Sequence, residues 1–517
     1  MTAPSPDAVA RWQGVGWRGD LLALLAGVLL VAAFAPFHLA LLAVLAPALL
    51  FWLWWPLTPR QAAWRGFLFG LGLFTAGVHW VFVSIHVFGH TAVPLALLLT
   101  ALFILALACY PALQGALGQW LVRRLERAGF APGTLAAWTL LGLYPAVWVL
   151  FEGLRGWLFT GFPWLQLGYA LGDSPLAGWG PILGGIGLGA LAALSAGVLV
   201  LALEWRGRAR QRLLLGLAAA WLLSWPLQWV AWTAPEGEPV TVALVQGNVD
   251  QNEKWRPGAL GEILRLYQRL TREAEGADLV IWPETAIPTL YHRVRRDYAE
   301  PLAEEVAAWG GELLVGAPIR DDEGRYFNAV VDPLGGAEYR KRHLVAFGEY
   351  LPLEGVLRGL VNFFDLPMSN FSRGEPQQPL LEAAGLRLGT AICYEGAFPY
   401  LYEDQLPAAG VLLNVSNDAW WGDTIGPHQH LQINALRSLE NGRFQLRGTN
   451  NGITALIDHR GRVAERIPQF TVGVLEVEVT ARTGTTPFMV WGQRPVLWGA
   501  VLLLVALYGF SRRNRRA

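Results

Sequence analysis

The sequence predicts two parts: a multi-pass α-helical membrane domain of about eight spans, and a layered α/β domain with a mixed sheet. Three observations predict them. The 517 residues are 53% hydrophobic and only 15% charged, against about a quarter charged in ordinary soluble chains. The apolar excess is confined to residues 20–231 and 489–510. Residues 232–488 read instead as globular sequence in which strand-like runs alternate with helical ones. The expected division is therefore 1–231 for the membrane domain, 232–488 for the α/β domain, and 489–517 for a last span with a basic tail. Net charge is zero, so composition offers no argument for a nucleic-acid partner.

A helix needs about 20 mostly apolar residues to cross a bilayer. Runs of that kind lie at 20–36, 38–55, 65–87, 92–121, 134–153, 182–203, 212–231 and 489–510. The "AFA" at 33–35 resembles a signal-peptide cleavage site, but apolar sequence resumes at once, so the first run is read as a span. Charge alternates between the connections. Arg11 and Arg18, then Arg60 and Arg65, then Arg123, Arg124 and Arg127, then Arg206, Arg208, Arg210 and Arg212, and finally Arg512, Arg513, Arg515 and Arg516 mark every second one. The intervening "FAPFH" and "HVFGHTA" carry no Lys or Arg. Basic loops stay in the cytoplasm, so eight spans would leave 232–488 on the outer face. Glu152, with Arg155 one turn on, is the main charge within a span; it has a functional reading and a helix-end snorkelling one. Residues 157–180 are aromatic-rich and broken by Gly and Pro, as expected of an interfacial segment at the lipid headgroups. A transporter would need a polar path through these helices, and the sequence offers little for one.

In the α/β part, strand-like runs fall at 240–248, 277–284 and 312–318, in a hairpin around "LGGA", and at 386–395, 410–418, 444–458 and 473–481. Helical patterns fall at 260–275, 298–309 and 428–442. The chain has two cysteines. Cys109 lies in an apolar run, so a disulfide to Cys393 would join the bilayer interior to another domain, and two cysteines cannot build a four-cysteine zinc site. Cys393 is thus expected to be a free thiol. Glu284 ends "LVIWPE", Lys341 lies in "YRKRHL", and Cys393 ends "LGTAIC". A carboxylate, an ammonium and a thiol at strand ends supply a proton acceptor, a fixed positive charge and a nucleophile for acyl chemistry. Taken singly, each has a plainer reading: a turn cap, a surface charge and a core side chain.

Together, "WPETAIP", "KRHLVAFGEYLPLE" and "ICYEGAFP" resemble the nitrilase, or carbon–nitrogen hydrolase, superfamily. "VQGNVDQNEKW", "NVSNDAWWGDTIGPHQHLQINALRSLENGR", "TNNGITALID" and, in the membrane part, "FEGLRGWLFTGFPWLQLGY" are similar to the apolipoprotein N-acyltransferases of bacterial inner membranes. The resemblance covers essentially the whole chain. It implies an αββα nitrilase-like domain on the periplasmic face, with Glu284 as general base, Lys341 as electrostatic stabiliser and Cys393 as nucleophile. It further implies support of the lysine by Glu349 and matched positions at Tyr394, Glu395, Trp255 and Asn328. It implies a phospholipid acyl donor, typically phosphatidylethanolamine, and a diacylated apolipoprotein whose N-terminal cysteine offers its α-amine. Transfer would be ping-pong through a thioester, with no cofactor, metal or nucleotide. A membrane-tethered amidase that passes the acyl group to water is the alternative. The hairpin between Asn328 and Lys341 is shorter than in some members of the family. Trp420 and Trp421, beside Gly422, read as an aromatic lid or an anchored interfacial loop. His428 and His430 read as hydrogen-bonding or helix-start residues rather than metal ligands.

Overall fold

The structure is a computed structural model, and it describes residues 16–350 and 370–513. These fall into two units: a helical one from 16–82, 93–230 and 491–513, and an α/β one from 83–92 and the described part of 231–490.

In the helical unit each predicted apolar run falls on a helix: Trp17–Val31, Leu42–Trp54, Pro59–Gly77, Val93–Arg127, Pro132–Arg155, Gly180–Glu204, Gly207–Leu227 and Arg494–Arg513. By length and composition four helices suffice to cross a membrane: Val93–Arg127, Pro132–Arg155, Ala177–Glu204 and Arg494–Arg513. A fifth qualifies if Pro59–Gly77 and Trp80–Phe88, bent by 53°, form one span. Lipid offers helices no hydrophobic drive to associate, so packing rests on small residues that let backbones approach. A Cβ on Gly66 would collide with the Pro111 carbonyl, one on Gly27 with the Phe69 carbonyl, and one on Gly115 with the Ala62 carbonyl. The arginines read as loop residues belong largely to helix ends. Arg65 is buried within Pro59–Gly77, where it donates to Asp20 Oδ1 (3.2 Å) and to the Leu53 carbonyl (2.9 Å). Glu152 and Arg155 both bind the stretch that follows them: the Leu167 N–H donates to Glu152 Oε1 (2.9 Å), and Arg155 donates to the Phe162 carbonyl (3.1 Å) and the Trp164 carbonyl. Of the aromatic segment, Trp157 and Phe159 are exposed, whereas Trp164, Tyr169 and the residues between them are buried inside the unit.

The α/β unit holds two six-stranded sheets, as the nitrilase-like resemblance implies, whereas the strand pattern by itself gives only a mixed sheet. The first runs in the order β12 (Gly473–Gly484), β1 (Thr233–Gln246), β2 (Leu279–Ile281), β3 (Glu312–Arg320), β4 (Tyr326–Val331), β5 (Glu338–Arg340). The second runs β11 (Val463–Ile467), β10 (Thr454–Ile457), β9 (Gln445–Thr449), β8 (Val411–Ser416), β7 (Leu386–Ile392), β6 (Leu381–Ala383). Each has a parallel core, β1–β2–β3 and β7–β8–β9, with antiparallel edges. Period-2 patterning tells which residues share a face, not which strands share a sheet, so one sheet and two read alike. Alternate side chains sort into two layers. Val242, Leu244, Leu279 and Ile281 meet Leu388, Val411, Leu413 and Val415 between the sheets. Ala243, Val245, Val280 and Trp282 meet Ile263, Tyr267 and Leu302 of the helices Ala259–Glu273 and Glu300–Ala308. The helix Gly426–Asn441 covers β10 on the other side through Leu431 and Ala435. The layering is therefore helix, sheet, sheet, helix. Burial on both faces explains why these strands are apolar runs rather than alternating ones.

Candidate active site

The three chemistry-bearing residues leave the sheets at turns. β2 is shorter than predicted and stops at Ile281, so Glu284 lies three residues beyond its end. The buried Trp282 is anchored by its Nε1–H to Thr271 Oγ1 (2.9 Å). β3 must pass close to this turn, and Gly316 allows it: a Cβ there would strike the Pro283 carbonyl. Lys341 follows β5, and its N–H donates to the Asn328 carbonyl (2.8 Å), prolonging the β4–β5 ladder by one residue. Cys393 follows β7 in the left-handed region, φ 54°, a conformation that L-residues occupy only when their surroundings enforce it. The 3₁₀ turn Cys393–Ala397 begins there.

The side chains converge. Lys341 Nζ lies 3.1 Å from Glu284 Oε1 and 2.8 Å from Glu349 Oε1. Asn328 Nδ2 donates to the same two oxygens, at 2.7 and 3.2 Å. The Asn417 N–H donates to Glu284 Oε2 (2.8 Å), and the Val345 N–H to Glu349 Oε2 (2.8 Å). Lys341 is 1% exposed, Glu284 6% and Cys393 8%. Burial pushes the Cys393 thiol pKa well above its ordinary value, the Glu284 carboxylate adds to this, and the Lys341 ammonium opposes both. Burial works against the Lys341 charge, but Glu284 and Glu349 outweigh it and hold the ammonium well above its usual range. The resting state is therefore a thiol beside a carboxylate–ammonium–carboxylate row.

Glu395 is fully buried, and its hydrogen bonds go to groups outside this row. It accepts from the Ile392 N–H (2.7 Å), the Arg342 N–H (2.6 Å), the His343 N–H (2.9 Å) and Tyr339 Oη–H (3.0 Å), clamping the Cys393 turn to the segment after Lys341. Burial raises its pKa, and those N–H groups oppose the rise. Tyr394 is half-buried and packs against Phe398 and His343, with ring centres 5.1 and 5.9 Å away. Trp255 is half-buried at the end of the short turn Gln251–Lys254. Trp420 contacts the 83–92 segment of the same unit: its carbonyl accepts from Ser84 Oγ (2.8 Å) and its ring meets Phe88.

The support behind the thiol includes His430, which the sequence reads as hydrogen-bonding without giving its partners. The Cys393 carbonyl contacts His430 Nε2 (3.0 Å) and accepts from Asn414 Nδ2 (3.2 Å). His430 Nδ1 meets Asp418 Oδ1 (3.1 Å), Ser416 Oγ donates to that oxygen (2.6 Å), and Arg447 donates to Asp418 Oδ2 (2.7 Å) and Asn414 Oδ1 (2.6 Å). Burial alone would raise the Asp418 pKa, yet Arg447 and His430 hold it down to about 2. His430 is itself lowered, by burial first and by Arg447 second. These residues come from β8, β9 and the helix Gly426–Asn441, and no local pattern joins them. The nearest signal was the polar run "NVSND", too hydrophilic for a buried strand end without partners.

Comparison with known proteins identifies the family. A family model described as apolipoprotein N-acyltransferase N-terminal domain matches residues 26–198, and one described as carbon-nitrogen hydrolase matches 241–488. A protein of Azotobacter vinelandii named apolipoprotein N-acyltransferase is 47% identical over 98% of this chain and 97% of its own. Proteins of the same name from Methylococcus capsulatus and Nitrosomonas europaea are 44% and 43% identical, each over 97% of this chain and over 97% and 99% of their own.

Proposed function

From membership of the apolipoprotein N-acyltransferase family, to which this chain belongs, we propose that this acyltransferase moves a fatty acyl chain from a phospholipid to an apolipoprotein through a thioester on Cys393. The observation that carries the chemistry is the Lys341 ammonium set between Glu284 and Glu349, at 3.1 and 2.8 Å, in the field of the buried thiol. Glu284 takes the thiol proton as Cys393 Sγ attacks the ester carbonyl. Lys341 stabilises the oxyanion. The glycerol oxygen leaves with the proton that Glu284 carried, and the thioester remains. The α-amine of a diacylglyceryl-cysteine then attacks the thioester, its proton passes through Glu284 to the leaving sulfur, and an amide forms. Phosphatidylethanolamine is the donor we propose. The relatives' shared name over nearly the whole chain favours transfer to a lipoprotein amine over an amidase that hydrolyses the acyl-enzyme.

We place the eight helices across the bacterial inner membrane with their arginine-rich ends in the cytoplasm, and the α/β domain of 232–488 on the periplasmic side. Contacts within the helical unit support a common basic end. Arg124 donates to Ser511 Oγ (2.9 Å) at the close of the last helix, and Arg123 to the Leu57 carbonyl (3.3 Å). Arg65 joins the start of Trp17–Val31 to the end of Leu42–Trp54 through Asp20 and Leu53. The positive-inside rule then sets the orientation. Lipid substrates in the outer leaflet would reach the α/β domain without crossing the membrane.

The test is a covalent one. Protein in micelles with isotopically labelled phosphatidylethanolamine should gain one acyl chain on Cys393, released by a diacylglyceryl-cysteine peptide as its N-acyl product. An acyl adduct that persists in Cys393→Ala would refute the assignment.

A further inference from the structure

Lys254 is a buried amine that the chemistry above leaves idle. It closes the turn Gln251–Lys254, is 2% exposed, and its Nζ has no hydrogen-bond partner among the described residues. The Glu284 carboxylate acts on it through its field. On its own turn, Asp250 is occupied in capping the N–H groups of Asn252 and Glu253, while Glu253 pairs with Arg256, and Arg256 with Glu262, on the exposed side. The turn is fastened to the site. Asn417 Nδ2 donates to Gln251 Oε1 (2.8 Å), while the N–H of the same residue donates to Glu284 Oε2 (2.8 Å). A buried cation without a partner is unfavourable, and folds keep such groups chiefly where chemistry uses them.

The proposed transfer contains one proton that Glu284 cannot handle. In the first half Glu284 carries the thiol proton to the leaving glycerol oxygen. In the second it carries an amine proton to the leaving sulfur. Both are balanced, but an α-amine has a pKa of about 7.7–8.0 and arrives largely as ammonium. Its extra proton must go before the nitrogen can attack. We propose, building on the reading above, that Lys254 is the general base that removes this proton from the acceptor. The step is R–NH₃⁺ plus Lys254–NH₂ giving R–NH₂ plus Lys254–NH₃⁺, and the lysine returns its proton to water before the next turnover. One proton is released per acyl group transferred, as the overall reaction requires. Burial lowers the Lys254 pKa to about 8, with Glu284 pulling the other way. Donor and acceptor are thus matched, which is the condition for efficient transfer near neutral pH.

The experiment separates the half-reactions. Full-length protein in phosphatidylethanolamine–detergent micelles is first loaded, and the Cys393 thioester is read by intact mass. A diacylglyceryl-cysteine peptide, or hydroxylamine, which is uncharged at neutral pH, is then added. For Lys254→Met and Lys254→Arg the thioester should form at close to the normal rate, which also reports an intact fold. Release by the peptide should fall ~10-fold or more at pH 7 and recover toward pH 9, whereas release by hydroxylamine should stay normal. Normal peptide release in both variants overturns the proposal. So does an equal loss with peptide and hydroxylamine, or a loss of thioester formation in both variants, since each assigns Lys254 a structural role. Absence of the thioester in the unaltered protein would instead refute the reading of the site itself.

Discussion

Cys393 is held as a thiol until it is used. Burial and the Glu284 charge keep the proton on sulfur, so the nucleophile appears only when Glu284 accepts that proton beside Lys341. Glu284→Gln removes the acceptor while keeping the shape, and its Asn328 and Asn417 contacts can be partly reproduced. Thioester formation should slow by about 10²- to 10⁴-fold with little change in melting temperature, measured by intact mass and thermal unfolding. Lys341→Met behaves differently. It strands Glu284 and Glu349 together in a buried site, so it should cost about 3–5 kcal/mol of stability as well as acylation, visible in denaturant unfolding. A variant that lost activity while remaining fully stable would contradict the charge row. Lys341 could not be told from a surface lysine by sequence pattern alone. Its burial depends on β4 and β5 pairing so that Asn328 and Lys341 fall side by side.

At the scale of elements, the strained turn after β7 is held from behind by the helix Gly426–Asn441 and the ends of β8 and β9. Asp418→Asn weakens the charged contact with Arg447 and the orientation of His430, which together steady the Cys393 carbonyl. The acid dependence follows in sign. Asp418 sits at about 2 when folded and near 3.9 when unfolded. Its stabilising contribution, about 2 kcal/mol, is complete above pH 4 and lost as pH falls toward 2. His430, lowered by burial, acts in the same direction below about pH 6.5, because the unfolded chain takes up the proton more readily. Unfolding midpoints measured from pH 7 to pH 3 should therefore fall more steeply for the native sequence than for Asp418→Asn. Parallel curves would show that this network does not govern acid stability. In the helical unit, Gly66→Leu should disrupt the approach of Pro59–Gly77 to Val93–Arg127, because the Pro111 carbonyl occupies the space. Reduced yield of folded protein in detergent is the expected readout, with Gly133→Leu, which meets open space, as the harmless control.

For the whole molecule, the proposed topology can be checked directly. Single cysteines in a Cys109→Ala, Cys393→Ala background at Glu126 and at Glu275 should differ in intact cells: a membrane-impermeant thiol reagent should label position 275 and leave 126 unlabelled. Labelling of both, or the reverse, would remove the periplasmic placement. Among the described residues, four or five helices are long and apolar enough to cross by themselves. In the proposed topology the shorter ones, such as Leu42–Trp54, would reach the interfaces through their flanking turns and neighbours. Glycine contacts at Gly27, Gly66 and Gly115 suit such a bundle, since close helices shield backbone that lipid cannot satisfy.

Legible in the sequence were the two-part composition, the eight helical runs, the strand positions apart from the short β6 and β11, with β9 and β10 read as one run, and the motifs around Glu284, Lys341 and Cys393. Those features are local: they depend on periodicity, apolar length and turn residues, which a few neighbouring positions encode. The packed structure alone showed which strands make up each sheet, that Trp420 meets Phe88, and that Asn328, Asn417 and His430 come from three separate places in the chain to hold the site. It also showed that Lys254 is buried within the field of Glu284 and not solvated like its neighbour Glu253. Burial and electrostatics depend on distances between residues far apart in the chain, and those distances exist only after the sheets have packed.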